Sequence, residues 1–306
     1  MTAISRSDGT TGAGDHLVVP LGEPVLGPKR RKGDLGYRLA VGWLVLVVFV
    51  CFFGDWLWFV KDPGALNASS GIKSGPSGDN WMGTDSLTRD MFARVVSGGR
   101  ESLMIGGIAT AIGMVVGGLL GLVAGYFRGW VDSLISAATT IIFAVPALVL
   151  VLFVAALRAN SGGQSRTSLI AALSVLAIPP ITRIVRASSL QWSEREFVQA
   201  ARVIGAKNGR ILFRTVLPNV VPALVSFAFL ALGITIVVEA GLAAIGGSIA
   251  EDTWGKIINE GRGTLDLQNA PHIAMAPSLV LFLTVLALNW VGDSLVRKLD
   301  IREALL

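Results

Sequence analysis

The sequence predicts an all-α membrane protein with about six transmembrane helices. Three observations carry that expectation. Apolar residues make up 52% of the 306 positions and charged residues only 15%, where soluble domains hold about 25% charged residues. Apolar runs of roughly 20 residues recur along the chain, the length that about 30 Å of hydrocarbon requires at 1.5 Å per residue. The 36 glycines suit helices whose backbones approach closely in lipid.

Residues 1–36 open the chain. They are rich in Gly, Ser, Thr and Pro up to residue 28 and read as a disordered tail. The basic cluster Lys29, Arg30, Arg31 and Lys32 then precedes the run LAVGWLVLVVFVCFFGDWLWFV. That run lacks a small-x-small cleavage site, so it reads as an uncleaved first span over 37–60 with the cluster in the cytoplasm. Cys51 lies within it, and a single cysteine allows no disulfide framework. The rest of the segment 37–101 is outer. In GTDSLTRDMFARVVSGGRESL (83–103), Asp85 or Thr84 can cap a helix whose apolar residues Leu87, Met91, Phe92 and Val95 share one face. Gly98-Gly99 supplies its stop. This predicts an amphipathic helix over 85–98 on the outer membrane surface.

The remaining spans are expected at 102–126, 134–157, 168–187, 220–246 and 274–293, within a transmembrane domain of 102–300, before a short tail at 301–306. The fourth contains Pro179-Pro180 and then Arg183 and Arg186, and is expected to kink and end near the inner interface. Six crossings put both termini on one side. With the N-terminus inside, the inner segments together with the inner ends of the spans hold 17 of the 26 Lys and Arg residues, the bias expected of the cytoplasmic face. Membrane topology thus accounts for the net charge of +5, and no nucleic-acid partner is implied.

The polar insert EREFVQAARVIGAKNGRILFRTVLPN (194–219) breaks the pattern. Phe197, Ala200, Ala201 and Ile204 follow helical spacing and form one apolar face, with Arg195, Gln199 and Arg202 on the other sides. Gly205 stands where a left-handed C-terminal cap needs it. Ile211, Leu212, Thr215 and Val216 form a second short helical face, which Pro218 is expected to stop. Two short helices joined by a glycine bend, hung below the membrane, suggest a docking element. A helix lying on lipid headgroups is the alternative.

Catalytic chemistry is missing from the sequence. There is no G-x-x-x-x-G-K-[ST] nucleotide loop, no Cys or His cluster with metal-ligand spacing, and neither His16 nor His272 stands beside a nucleophile. His272 reads as a loop residue. Of the acids in or near spans, Asp55 and Asp293 lie towards span ends. Glu239 falls near the outer end of the fifth span, as a gate or pore-lining group, an interfacial anchor or a structural hydrogen-bonding group. A secondary carrier would need buried ion sites or inverted repeats, and neither is evident.

The spacing of Gln199-Ala200-Ala201, three residues, Gly205, nine residues and Thr215-Val216-Leu217-Pro218 resembles the EAA loop of ABC importer permeases: Glu-Ala-Ala, three residues, Gly, nine residues, Ile, any residue, Leu-Pro. Gln199 departs from the usual Glu and Thr215 from the usual Ile. Residues 83–107, 125–135, 239–246, 252–262 and 289–302 also resemble dipeptide and oligopeptide permeases of the DppC/OppC type, with Thr88 in place of a glycine and Ala93 in place of a serine. The resemblance implies a type I ABC importer permease fold and a pore subunit for di- or oligopeptides. It places ATPase coupling on Gln199, Ala200, Ala201, Gly205, Ile211, Leu217 and Pro218. It further implies a homologous second permease, two ATPase subunits or one fused ATPase that bind ATP and Mg²⁺, and an extracytoplasmic solute-binding protein in a bacterial cell membrane. No cofactor is expected on this chain. Nickel or another small solute is the alternative cargo.

Overall fold

Glycine spacing sets the central seam of the fold. A computed structural model describes residues 34–67, 70–158, 165–247, 249 and 251–303. The expectations for the tail before residue 34 and for residues 304–306 lie outside these. Helix α1 (Asp34–Phe53) is followed by a loop and by α2 (Met91–Phe127), 37 residues long. On α2, Gly113, Gly117, Gly121 and Gly125 recur every fourth residue and so share a face. That face lies on α5 (Arg166–Ser193). A methyl group on Gly117 would lie 2.7 Å from the Ile178 carbonyl oxygen, and one on Gly125 would lie 2.6 Å from that of Arg186. With no side chains between them the two backbones pack directly, the arrangement that holds helices together in lipid. Leu122, Ile181 and Val185 close around this seam, fully or almost fully buried.

The outer segment differs from the expectation. Residues 84–90 form a turn, and the helix starts only at Met91, capped by Asp90, whose Oδ1 accepts from the Ala93 N–H at 2.8 Å. Asp85 instead accepts from the Leu87 and Arg89 N–H groups, both at 2.8 Å. No separate amphipathic helix spans 85–98, and Gly98-Gly99 does not stop the helix. Those glycines admit neighbours instead: Gly98 meets Ile257, and Gly99 meets Cys51 and Trp254.

The third expected span is broken. Helices α3 (Gly129–Ala144) and α4 (Ala147–Arg158) meet at 97°. Pro146 lacks an N–H and pushes the preceding residue out of helical conformation, and Val145 is extended. The fourth span does not end near residue 187. It continues through Pro179-Pro180 as α5 to Ser193, with its N-terminus capped by Ser165.

The insert carries α6 (Glu196–Val203) and a short α7 (Asn208–Ile211), which passes through a π-helical turn at Leu212–Val216 into α8 (Leu217–Ala244). Pro218 therefore does not stop the second helix. The wider turn before it makes room for the ring, Pro218 occupies the first turn of α8, and the Asn219 side chain donates to the Thr215 carbonyl at 2.7 Å. Residues 208–244 run as one helix of 37 residues. Two short helices, α9 (Trp254–Glu260) and α10 (Thr264–Asn269), lead to α11 (His272–Glu303). His272 is thus the first residue of a helix and not a loop residue, and its Nε2 lies 3.1 Å from the Thr84 carbonyl oxygen. Among the described residues, five helices are long and apolar enough to cross a membrane, and the bent α3–α4 pair makes a sixth when taken as one span.

Candidate functional site

The loop 194–219 is locked on one side and open on the other. Val198 is fully buried and Ala201 partly so, against a core that includes Tyr126, Ile211, Leu212 and Val216. Ile211 and Val216 turn inward as the sequence pattern requires, and Leu217 packs on the same core. The single apolar face expected on α6 splits in two. Ala201 faces the protein, but Phe197, Ala200 and Ile204 face away from it, joined by Val203. Val203 is 86% exposed and Ile204 83%.

Gly205 has φ +80. Its N–H donates to the Arg202 carbonyl and the Ala206 N–H to that of Ala201, each at 3.0 Å, the pair of bonds that closes a helix over a left-handed residue. No neighbouring atom lies within 4 Å of the position a Gly205 Cβ would take. The bend is therefore free on its outer side. Gln199 points into an open polar cleft of about 460 Å³, also lined by Tyr126, Arg128, Glu194, Arg202 and Asn208. Tyr126 donates to Asn208 Oδ1 at 3.1 Å, Arg128 pairs with Glu194 at 2.6 Å and Arg202 lies over the Tyr126 ring. Pro218 is exposed at the foot of α8.

Glu239 sits near the other end of α8 and is only 1% exposed. Ser102 on α2 donates to its Oε2 at 3.2 Å and accepts from the Trp254 N–H at 3.1 Å. Trp254, fully buried, donates in turn to the Val95 carbonyl at 2.9 Å. The carboxylate is thus enclosed between α2, α8 and the start of α9. It does not line an open wall within this chain. Asp55 pairs with Arg100 at 2.7 Å, and Asp293 is exposed towards the far end of α11.

The sequence pattern did not disclose the ion cluster around Arg94. Arg94 is completely buried and lies 2.9 Å from Asp85, 2.8 Å from Asp252 and 2.8 Å from Glu260. Burial alone would raise the pKa of Asp252, but the Arg94 hydrogen bond and charge, with Lys256 and Arg89, hold it below the ordinary carboxylate range. The visible signal was the i,i+4 spacing of Asp85 with Arg89 and of Asp252 with Lys256. Their meeting across the fold left no local trace.

Among the described residues, five long apolar helices, a broken sixth and the absence of any strand define a multi-pass helical membrane protein. The sequence and structural relatives agree. The family described as binding-protein-dependent transport system inner membrane component matches residues 117–304. The glutathione transport system permease protein GsiD of Pectobacterium atrosepticum is 36% identical over 266 residues, covering 86% of each chain. The protein of the same name from Escherichia coli O6:K15:H31 is 37% identical over 259 residues, covering 84% of this chain and 83% of the relative. The inward-facing MetNI methionine ABC transporter contains a chain that matches with a TM-score of 0.58 at 23% identity, covering 68% of this chain and 97% of that one, a likeness of fold. The chain belongs to the family of inner membrane components of binding-protein-dependent transport systems. It has the ABC importer permease fold and acts as a permease subunit of such an importer.

Proposed function

We propose that this chain forms half of the path of an ATP-driven importer of small peptides, driven through the loop 194–219. The observation that carries the coupling role is the exposed apolar face of α6. Val203 and Ile204 stand out into water beside a glycine bend while Val198, on the same helix, is fully buried. Exposed apolar side chains on a rigidly backed helix suit a groove in a partner protein. That partner is an ATPase, present as two subunits or one fused chain, which binds ATP and Mg²⁺ so that this chain needs no cofactor. A homologous permease supplies the other half of the path, and an extracytoplasmic binding protein delivers the solute. Both termini lie in the cytoplasm.

The drive has a direct route. Closure of the ATPase pair moves α6, the bend passes the movement to residue 208, and the helix 208–244 carries it to the outer face. There Glu239, Ser102 and Trp254 tie α8 to α2 and α9. Glu239 is a joint in that assembly. The peptide reading rests on the subfamily motifs and on relatives named for glutathione, itself a tripeptide. Reconstitution with partner permease, ATPases and binding protein tests it. The full assembly should take up peptide only with ATP, and this chain alone should move none. Uptake of nickel without peptide would overturn the substrate reading.

A further inference from the structure

Arg183 is an intramembrane cation for which the fold provides no acidic partner among the described residues. The other arginines of α5 are neutralised. Arg186, one turn on, donates to Asp132 at 2.6 Å through Nη2, and Arg166 at the outer end pairs with Glu101 at 2.8 Å. Arg183 is exposed, and its guanidinium carbon lies 4.0 Å from the centre of the Phe143 ring.

That contact fixes where the charge sits. Arg183 and Arg186 are one turn apart on α5, yet Phe143 lies eleven residues beyond Asp132 on α3, about 16 Å along the helix. The guanidinium therefore reaches away from the surface marked by the exposed Arg128–Glu194 pair, against the direction a snorkelling arginine takes. It ends two residues short of the break at Val145-Pro146. Lipid tolerates neither a free cation nor a broken helix at such depth, whereas a water-filled path accommodates both. A guanidinium held by one aromatic face keeps its planar fork of donors free for a carboxylate.

We propose that Arg183 contacts the solute: propped on Phe143, it meets a carboxylate of the transported molecule partway through the path. The identity of that molecule rests on the peptide reading, since every peptide with a free C-terminus carries such a group. The charge and wetness of the site are independent of it.

Two measurements on the full assembly test this. Asp132, Ser136, Thr140 and Phe143 share one face of α3 by helical spacing. In a Cys51→Ser, Thr140→Cys chain, a sulfonate-bearing thiol reagent should react faster than a trimethylammonium one, and Arg183→Gln should lower the ratio of their rates about tenfold. A cysteine unreactive to both reagents, or an unchanged ratio, overturns the proposal. In transport, Arg183→Gln should slow uptake of a free-acid peptide about tenfold relative to its C-terminal amide, with Arg183→Lys retaining most of the rate. Equal losses for both peptides would mark a merely structural role and overturn the contact. If the wild-type assembly moves neither peptide, the peptide reading fails while the reagent ratio still decides the charge.

Discussion

Gly121 on α2 and Thr182 on α5 approach so closely that a methyl group on Gly121 would lie 2.5 Å from the Thr182 carbonyl oxygen. The same added group would meet Val185 at 2.8 Å, so the obstruction includes backbone that has no rotamer to change. Gly121→Val should separate the two central helices and destabilise the protein by about 1–3 kcal/mol, the usual cost of overpacking. Thermal unfolding of the detergent-purified chain measures it. Gly107→Ala on the same helix, where no atom lies within 4 Å, should be neutral or slightly stabilising.

Replacing Gly205 addresses the loop. A left-handed residue with a side chain costs about 1 kcal/mol or more, and an arginine there would also occupy the docking side. Gly205→Arg should leave membrane insertion intact while ATPase co-purification or transport per ATP hydrolysed falls. Gln199→Glu, which restores the residue common in EAA loops, should be tolerated, because the side chain faces an open cleft with Arg128 and Arg202 on its walls.

The ion cluster around Arg94 should make the fold sensitive to acid. The folded state holds Asp252 below its unfolded pKa, so the pair with Arg94 stabilises fully above the unfolded value. That contribution is lost as pH falls through the folded one. Asp252→Asn should lower the unfolding temperature at pH 7, and the gap between variant and wild type should close below about pH 4. A gap that stays constant with pH would separate the cluster from stability.

Orientation is open to labelling. Gly78 and Gly209 are exposed, and neither has an atom within 4 Å of a built Cβ. In a Cys51→Ser chain in intact cells, Gly78→Cys should react with an impermeant thiol reagent from outside and Gly209→Cys should not. The reverse pattern would invert the topology.

Those tests separate what the sequence disclosed from what only packing reveals. Span positions were legible because hydrocarbon thickness sets a length that composition must meet. The loop was legible because Gly205 and the inward residues Ile211, Leu212 and Val216 obey local rules. The break at Val145-Pro146 was written in the sequence as a proline inside an apolar run, and so was the four-residue glycine period on α2, although length and hydropathy alone give no weight to either. Pro218 misled because a local rule says that proline stops a helix, while a π-helical turn lets α8 continue from below. The outward turn of Ile204 and the enclosure of Glu239 depend on neighbours far away in the chain. Helical spacing defines a face but does not say what covers it.

The most direct measurement is where the open face of α6 goes. A photo-crosslinker attached at Val203→Cys in a Cys51→Ser chain, within the purified assembly of both permeases, ATPases and binding protein, should capture the ATPase. The same label at Gly78→Cys should not. Capture of the ATPase from position 203 alone is the result that coupling through this loop predicts. A label at 203 that reaches only lipid, or ATPase capture equal from both positions, would contradict it.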